Sequence, residues 1–349
     1  MTDSTSLLDV APRRPVVVEA VLDDPGIAWD LAFANGPYEH VLMLPEFKAA
    51  MAQYASGGGG GIGSSQGDEF MTSPIFRGNW ANQEQVLVPG ADAFLHNERL
   101  ISAASEVFDG ADVVRPFIVF SNLTAPMPRN QKHVDVPTFR GVERSQYPAW
   151  IVNAMAASGL FTRWQVQVAT AVAWYYEGPQ GGFSYWPDGP DAPRVEIDPP
   201  PNYAVVGDND FMYHRVEAVG NVDTNPQVPI DSLLAFEDDR RWHIRKDDRH
   251  FGDWAPEEIR ISISWKAQCF ADADAARVFD DHTDDITYER VVEMWRRRGR
   301  ARCGAPRHRR PRARPRVREG GHRRIRRAAR HARRAHQPRL RPTARTSVS

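Results

Sequence analysis

The stretch Gln131-Lys132-His133-Val134-Asp135-Val136-Pro137 decides how the rest of the chain is read. In an extended strand, residues i and i+2 point to the same face, so the His133 imidazole and the Asp135 carboxylate would project into one space. Much further along, His214 lies inside another strand-like run, Phe211-Met212-Tyr213-His214-Arg215-Val216. Two histidines and one carboxylate make a mixed nitrogen and oxygen ligand set. Such a set suits non-haem Fe(II), because it holds the ion while leaving positions open for co-substrate and oxygen.

Two other pairings compete with this one. His282-Thr283-Asp284 repeats the triplet, but in an acidic segment that reads as a cap or loop, and every later histidine lies in an arginine-rich tail. His96-Asn97-Glu98 falls in a helical pattern, where i and i+2 diverge. The bland reading of His133 is a strand-end histidine hydrogen-bonded to a carboxylate.

Charge is distributed very unevenly. The whole chain carries 44 basic and 45 acidic side chains, yet residues 296–349 hold 22 arginines, no lysine and one acid, Glu319. The first 295 residues are left with 22 basic and 44 acidic side chains, a net of −22. An acidic body argues against a nucleic-acid or anionic-membrane partner for the folded part, and leaves the tail as the place for nucleic acid to bind. The two cysteines, Cys269 and Cys303, imply no disulfide framework. Met1 to Leu8 has neither a basic n-region nor an apolar h-region, so no signal peptide is expected. No apolar run is long enough to span a bilayer, and a cytoplasmic location is the default.

Residues 1–110 read as mainly helical with loops. Leu44 to Met51 looks like a helix with Pro45 in its first turn, and Ala91 to Phe108 places Phe94, Leu95, Leu100, Ile101, Ala104 and Val107 near helical spacing. The run Gly57 to Ser65 lacks the flanking strand, helix and lysine of a phosphate-binding loop and reads as a flexible loop. From about Arg115 the period changes to two. Strands are expected at Pro116–Phe120, around His133, at Trp164–Tyr176, at Tyr203–Val206, around His214 and at Ile259–Phe270, with a helix at Tyr147–Met155. Several short strands with one buried face point to a mainly β core within an α+β fold, a β-sandwich or jelly roll. Ile286 to Arg298 reads as a closing helix capped near Thr283–Asp285.

The last strand adds a further element. In Arg260-Ile261-Ser262-Ile263-Ser264-Trp265, period two sends Arg260, Ser262 and Ser264 to one face and Ile261, Ile263 and Trp265 to the other. A polar face on a core strand suggests a polar barrel interior, where a guanidinium fork and a serine hydroxyl would bind a carboxylate. The alternative is a surface strand with its polar side in water.

His133-Val134-Asp135, a distal His214 after the Gly207-Asp208-Asn209-Asp210 turn, and Arg260-x-Ser262 together resemble the iron(II)/2-oxoglutarate-dependent oxygenases. The resemblance implies a double-stranded β-helix (a distorted jelly roll) over residues 111–272, with an N-terminal helical and loop region over 1–110. Outside the span of the resemblance, 273–299 reads as a C-terminal helix and 300–349 as an arginine-rich tail. The resemblance implies His133, Asp135 and His214 as Fe(II) ligands, Arg260 with Ser262 on the distal carboxylate of 2-oxoglutarate, and O2 as the other co-substrate. The implied reaction hydroxylates a small-molecule substrate and releases succinate and CO2. The acid at 135 implies hydroxylation or desaturation, since halogenating relatives carry a small residue there.

One departure concerns spacing. The family places the arginine soon after the distal histidine, whereas here Asn221 to Glu258 must loop out between them, and that loop reads as a lid. Arg215, Arg245 and Arg249 are alternative arginines, and Arg140 is a candidate for a substrate carboxylate or a surface salt bridge. Trp174, Tyr185 and Trp186 are candidates for a pocket lining or for core. Two other functions stand beside the oxygenase: a cupin-like metal enzyme without 2-oxoglutarate, and a binding module with a structural His/Asp cluster. The tail is too poor in apolar residues to fold alone. Its composition reads best as an out-of-frame translation of GC-rich DNA, ahead of a nucleic-acid arm or a disordered tail.

Overall fold

A computed structural model describes residues 12–45, 63–66, 69–143, 146–221 and 226–304. The expected helix beyond residue 45, the glycine run at 57–62 and the tail after 304 lie outside them. The chain divides into two compact units, 1–300 and 301–349, and of the second only 301–304, the end of the last helix, is described.

The chain is built mainly of antiparallel strands, numbered here along the sequence. Four of them, β12 (Tyr203–Gly207), β9 (Gln165–Tyr175), β18 (Arg260–Phe270) and β7 (Val113–Thr124), are hydrogen-bonded in that order at the centre of a 12-stranded sheet. β1 (Val16–Val18) extends it beyond β12. On the other side follow β5 (Ile75–Asn82), β2 (Tyr38–His40), β15 (Leu233–Phe236), β16 (Trp242–Lys246) and β17 (Arg249–Trp254). β6 (Gln85–Val86) pairs β5, and β8 (Thr138–Phe139) pairs β9. A second sheet runs β11 (Val195–Ile197), β10 (Phe183–Trp186), β13 (Tyr213–Val216), and a bridge from His133 to His214 adds the 133 segment beside β13. A third holds β14 (Val228–Pro229), β4 (Glu69–Thr72) and β3 (Gly63–Gln66), so the end of the glycine-rich run is a paired strand rather than loop.

Both faces of the central strands are buried, by different partners. On β18, Ile261, Ile263 and Trp265 join a core with Leu100, Ala103, Ala104 and Val107 of a helix. Ala169, Ala171 and Ala173 of β9 share that face, and their small side chains let the helix lie close. Each large apolar side chain fully buried here contributes about 1.5–3 kcal/mol. The opposite face meets the second sheet through Trp174, Val205, Phe183, Tyr185 and Met212. Arg260, Ser262 and Ser264 lie on that inner side and are buried, which excludes the surface-strand alternative.

Among the described residues the α-helices are α1 (Gly26–Ala34), α2 (Asp92–Leu95), α3 (Glu98–Val107), α4 (Ala149–Ser158), α5 (Ala273–Asp280) and α6 (Tyr288–Gly304). The pattern read as one helix over Ala91–Phe108 is two, because Asn97 stops the first and caps the second. Its side-chain oxygen accepts from the amides of Arg99 and Leu100, both at 3.1 Å. The closing helix starts later than expected, with Thr287 rather than Thr283–Asp285 accepting an early amide, that of Arg290. N-terminal helices are present, but among its described residues the same region also supplies six strands, β1 to β6.

The segment expected to loop out as a lid instead forms β15, β16 and β17, which join the main sheet through β2. Trp242 anchors them, fully buried and within 6.2 Å of the Phe33, Phe236 and Tyr38 ring centres. Among the described residues no helix is long and apolar enough to cross a membrane.

Candidate metal centre

His133 and His214 face each other across an antiparallel bridge. The His133 amide donates to the His214 carbonyl at 3.1 Å, and the His214 amide returns the bond at 2.9 Å. Asp135 does not continue a strand. Its amide donates to the Asn209 carbonyl at 2.8 Å, so the turn before β13 fixes the carboxylate's position. The two imidazole centres are 4.4 Å apart, and His214 Nε2 lies 3.7 Å from Asp135 Oδ1. One ligand atom from each of the three residues lies within 4.8 Å of the other two.

Both histidines have a carbonyl at Nδ1: Gln131 O for His133 and Met212 O for His214, each at 3.0 Å. A carbonyl only accepts, so each Nδ1 carries the proton and each Nε2 presents a lone pair, the tautomer that a metal requires. Burial holds the His214 imidazole below its ordinary range, against the pull of Asp135. Burial alone would raise the Asp135 carboxyl. The Lys266 ammonium, His214 and His133 outweigh it and keep that carboxylate well below its usual range. A neutral imidazole beside an ionised carboxylate is the donor set that a divalent ion takes.

Lys266 was not legible as a site residue. It continues the period-two face of Arg260, Ser262 and Ser264, and its Nζ donates to Asp135 Oδ2 at 2.7 Å and to Thr170 Oγ1 at 3.1 Å. The signal was a lysine on the inner face of a strand otherwise built for burial. Nearby, Asp208 and Asp210 are both buried. Burial pushes Asp208 up to about 7, against Arg13, and Asp210 well above the carboxylate range.

Arg260 is 1% exposed. Its Nε donates to the Gly181 carbonyl at 2.8 Å and one terminal nitrogen to Ser262 Oγ at 3.0 Å, while the other terminal nitrogen has no hydrogen-bond partner. Burial lowers this guanidinium to about 10, and Tyr176 opposes the shift. No carboxylate ion-pairs with it among the described residues. A buried cation without an anion is costly unless a ligand supplies one. Gly181 makes room: its φ is +80°, and a β-carbon there would meet the Tyr176 ring at 2.6 Å.

The alternative arginines are engaged elsewhere. Arg215 pairs with Glu217 and lies over Trp186, on the side of β13 away from His214. Arg245 pairs with Glu237 and Arg249 lies over Phe251, both on the β15–β17 meander. Arg140 meets Asp284 at 3.2 Å in a part-buried salt bridge. His282 pairs with Asp285 and is exposed. Trp174 and Tyr185 belong to the inter-sheet core, and Trp186 holds Lys132 at 4.9 Å. A cavity of about 280 Å³ between Trp29, Tyr175, Tyr176 and Ile259 contains none of the five predicted site residues.

No family model matches the sequence, and no curated protein does. Among solved structures, the chain is similar to a prolyl-4-hydroxylase from Pseudomonas putida at 11% identity, over 74% of this chain and 93% of that one, with a TM-score of 0.35. AviO1 from Streptomyces viridochromogenes Tue57 is 16% identical over 76% and 92%, with a TM-score of 0.36. A 2OG-Fe(II) oxygenase family oxidoreductase from Burkholderia pseudomallei is 9% identical over 66% and 82%, with a TM-score of 0.33. At that level of likeness, the chemistry of the site rests on its own residues.

Proposed function

We propose that the chain is a non-haem Fe(II)- and 2-oxoglutarate-dependent oxygenase that hydroxylates a small organic molecule and forms succinate and CO2. The observation that carries this reading is a pair of features carried by two facing sheets: a two-histidine, one-carboxylate cluster on the second sheet and a buried guanidinium with no carboxylate partner on the main one. The strand order supports it as well. Four central strands of one sheet face β11, β10, β13 and the 133 segment, as a double-stranded β-helix requires.

In this reading His133 and His214 hold the metal through Nε2 and Asp135 through an ionised oxygen. Bound Fe(II) would supply O2 activation coupled to oxidative decarboxylation of 2-oxoglutarate. Arg260 takes the distal carboxylate of the co-substrate with its unpaired nitrogen, and Ser262 holds the guanidinium in plane. Trp174, Phe183 and Tyr185 exclude water beside His214; Phe183 lies 5.8 Å from its ring. The acid at 135 fits hydroxylation or desaturation. A cytoplasmic setting belongs to the same reading, with Cys269 free and buried.

Thermal melts of anaerobically purified protein test this. Mn(II) with N-oxalylglycine should raise the melting temperature further than Mn(II) alone, because each binds only the folded chain. Absence of any shift with either would overturn the reading.

A further inference from the structure

Lys266 ties the triad to the main sheet. Its ammonium sits between Asp135 Oδ2 at 2.7 Å and Thr170 Oγ1 at 3.1 Å, and Lys266 and Thr170 are directly opposed across β18 and β9. The other carboxylate oxygen, Oδ1, is the one that faces His214 Nε2, at 3.7 Å. One oxygen is thus occupied by a cation, and one is turned toward the histidines. The lysine is fixed from two strands, and the Asp135 backbone is fixed separately by Asn209, so the carboxylate has little freedom to rotate.

That asymmetry matters because carboxylates bind hard divalent ions through either one oxygen or two. Three single-atom ligands leave three of six positions open, whereas a two-oxygen carboxylate leaves two. A co-substrate that takes two positions then leaves none for O2. We propose that Lys266 is a positioning residue that keeps Asp135 a one-oxygen ligand and so preserves the third open position. The inference deepens the oxygenase reading and rests on it.

Removing the lysine has two effects on the metal. It withdraws a positive charge from beside a dication, and it frees a second oxygen to bind. Both favour metal binding, so affinity for the metal should hold or rise in Lys266→Met, while the number of open positions falls. A merely structural lysine would give the opposite pattern: weaker binding with unchanged coordination.

Water-proton relaxation of the Mn(II)-loaded full chain counts metal-bound water without any turnover. The expected result is an inner-sphere contribution about one third lower in K266M than in wild type, as three open positions become two. K266R should resemble wild type. N-oxalylglycine, which takes two positions, should displace all remaining inner-sphere water in K266M but leave one bound water in wild type, with Mn(II) affinity undiminished. T170V, which removes only the second anchor of the ammonium, should shift the same way by less, and it carries the test if K266M does not fold. Wild-type relaxation in K266M and T170V, or a loss of Mn(II) affinity with relaxation unchanged, would overturn the role of Lys266 alone. Equal Mn(II) binding by wild type and D135A would overturn the metal centre itself, and the inference with it.

Discussion

His133 and His214 exchange both main-chain hydrogen bonds, at 3.1 and 2.9 Å, so backbone pairing rather than side-chain contact brings the two imidazoles together. The side chains can therefore be removed without dismantling the frame. His133 is exposed, and His133→Ala should change the stability of metal-free protein by no more than about 0.5 kcal/mol. The same variant should lose the Mn(II)-induced rise in melting temperature. Melts with and without metal check both halves; a retained metal shift would remove His133 from the ligand set.

Arg260→Met separates ligand binding from stability. The variant removes a buried cation that has no anionic partner, so unliganded protein should be as stable as wild type or more so. N-oxalylglycine affinity should fall roughly 10- to 100-fold, the equivalent of about 1.5–3 kcal/mol for a charge-assisted contact. Calorimetric titration on the Mn(II) form measures this, and unchanged affinity would point to a different co-substrate anchor.

Asp208 gives the folded chain a pH dependence. Its carboxyl is raised from 3.8 to about 7 by burial, so the folded state still binds a proton that the unfolded chain has released. Between about pH 4 and 7 stability should therefore fall as pH rises, by up to about 1.4 kcal/mol per pH unit from this group. Asp135 is shifted the other way, and its contribution is lost only as pH drops below 3.8. Urea unfolding of wild type and Asp208→Asn from pH 5 to 8 should show the shallower slope in the variant. Parallel slopes would count against this origin.

Gly181→Ala should cost about 1–3 kcal/mol, since φ is +80° and the new methyl would meet Tyr176 at 2.6 Å. Because the Gly181 carbonyl also holds Arg260 Nε, co-substrate affinity should weaken along with stability. Chemical denaturation and N-oxalylglycine titration of one preparation test the coupling. Loss of stability with full affinity would separate the two.

The central strands and the triad were legible because period two and the His-x-Asp spacing are local signals. Arg260 and Ser262 were legible for the same reason, being alternate residues on a strand that also carries Ile261, Ile263 and Trp265. The edges were less so. Ile75–Asn82, with Arg77, Gly78 and Asn79, has little strand character of its own and takes its form from pairing with β7 over most of its length. Trp242 and Ile244 did alternate with Arg241, His243 and Arg245, but the family spacing favoured a loop there, and burial against Phe33 and Tyr38 decided otherwise. Lys266 escaped notice because its role depends on Asp135 and Thr170, both far away in sequence.

Anaerobic calorimetric titration of 2-oxoglutarate into the Fe(II)-loaded chain tests the central claim most directly. The expected result is one saturable site that requires the metal and is lost in both Asp135→Ala and Arg260→Met. Absence of binding to the loaded wild-type protein, or binding that survives both substitutions, would contradict it.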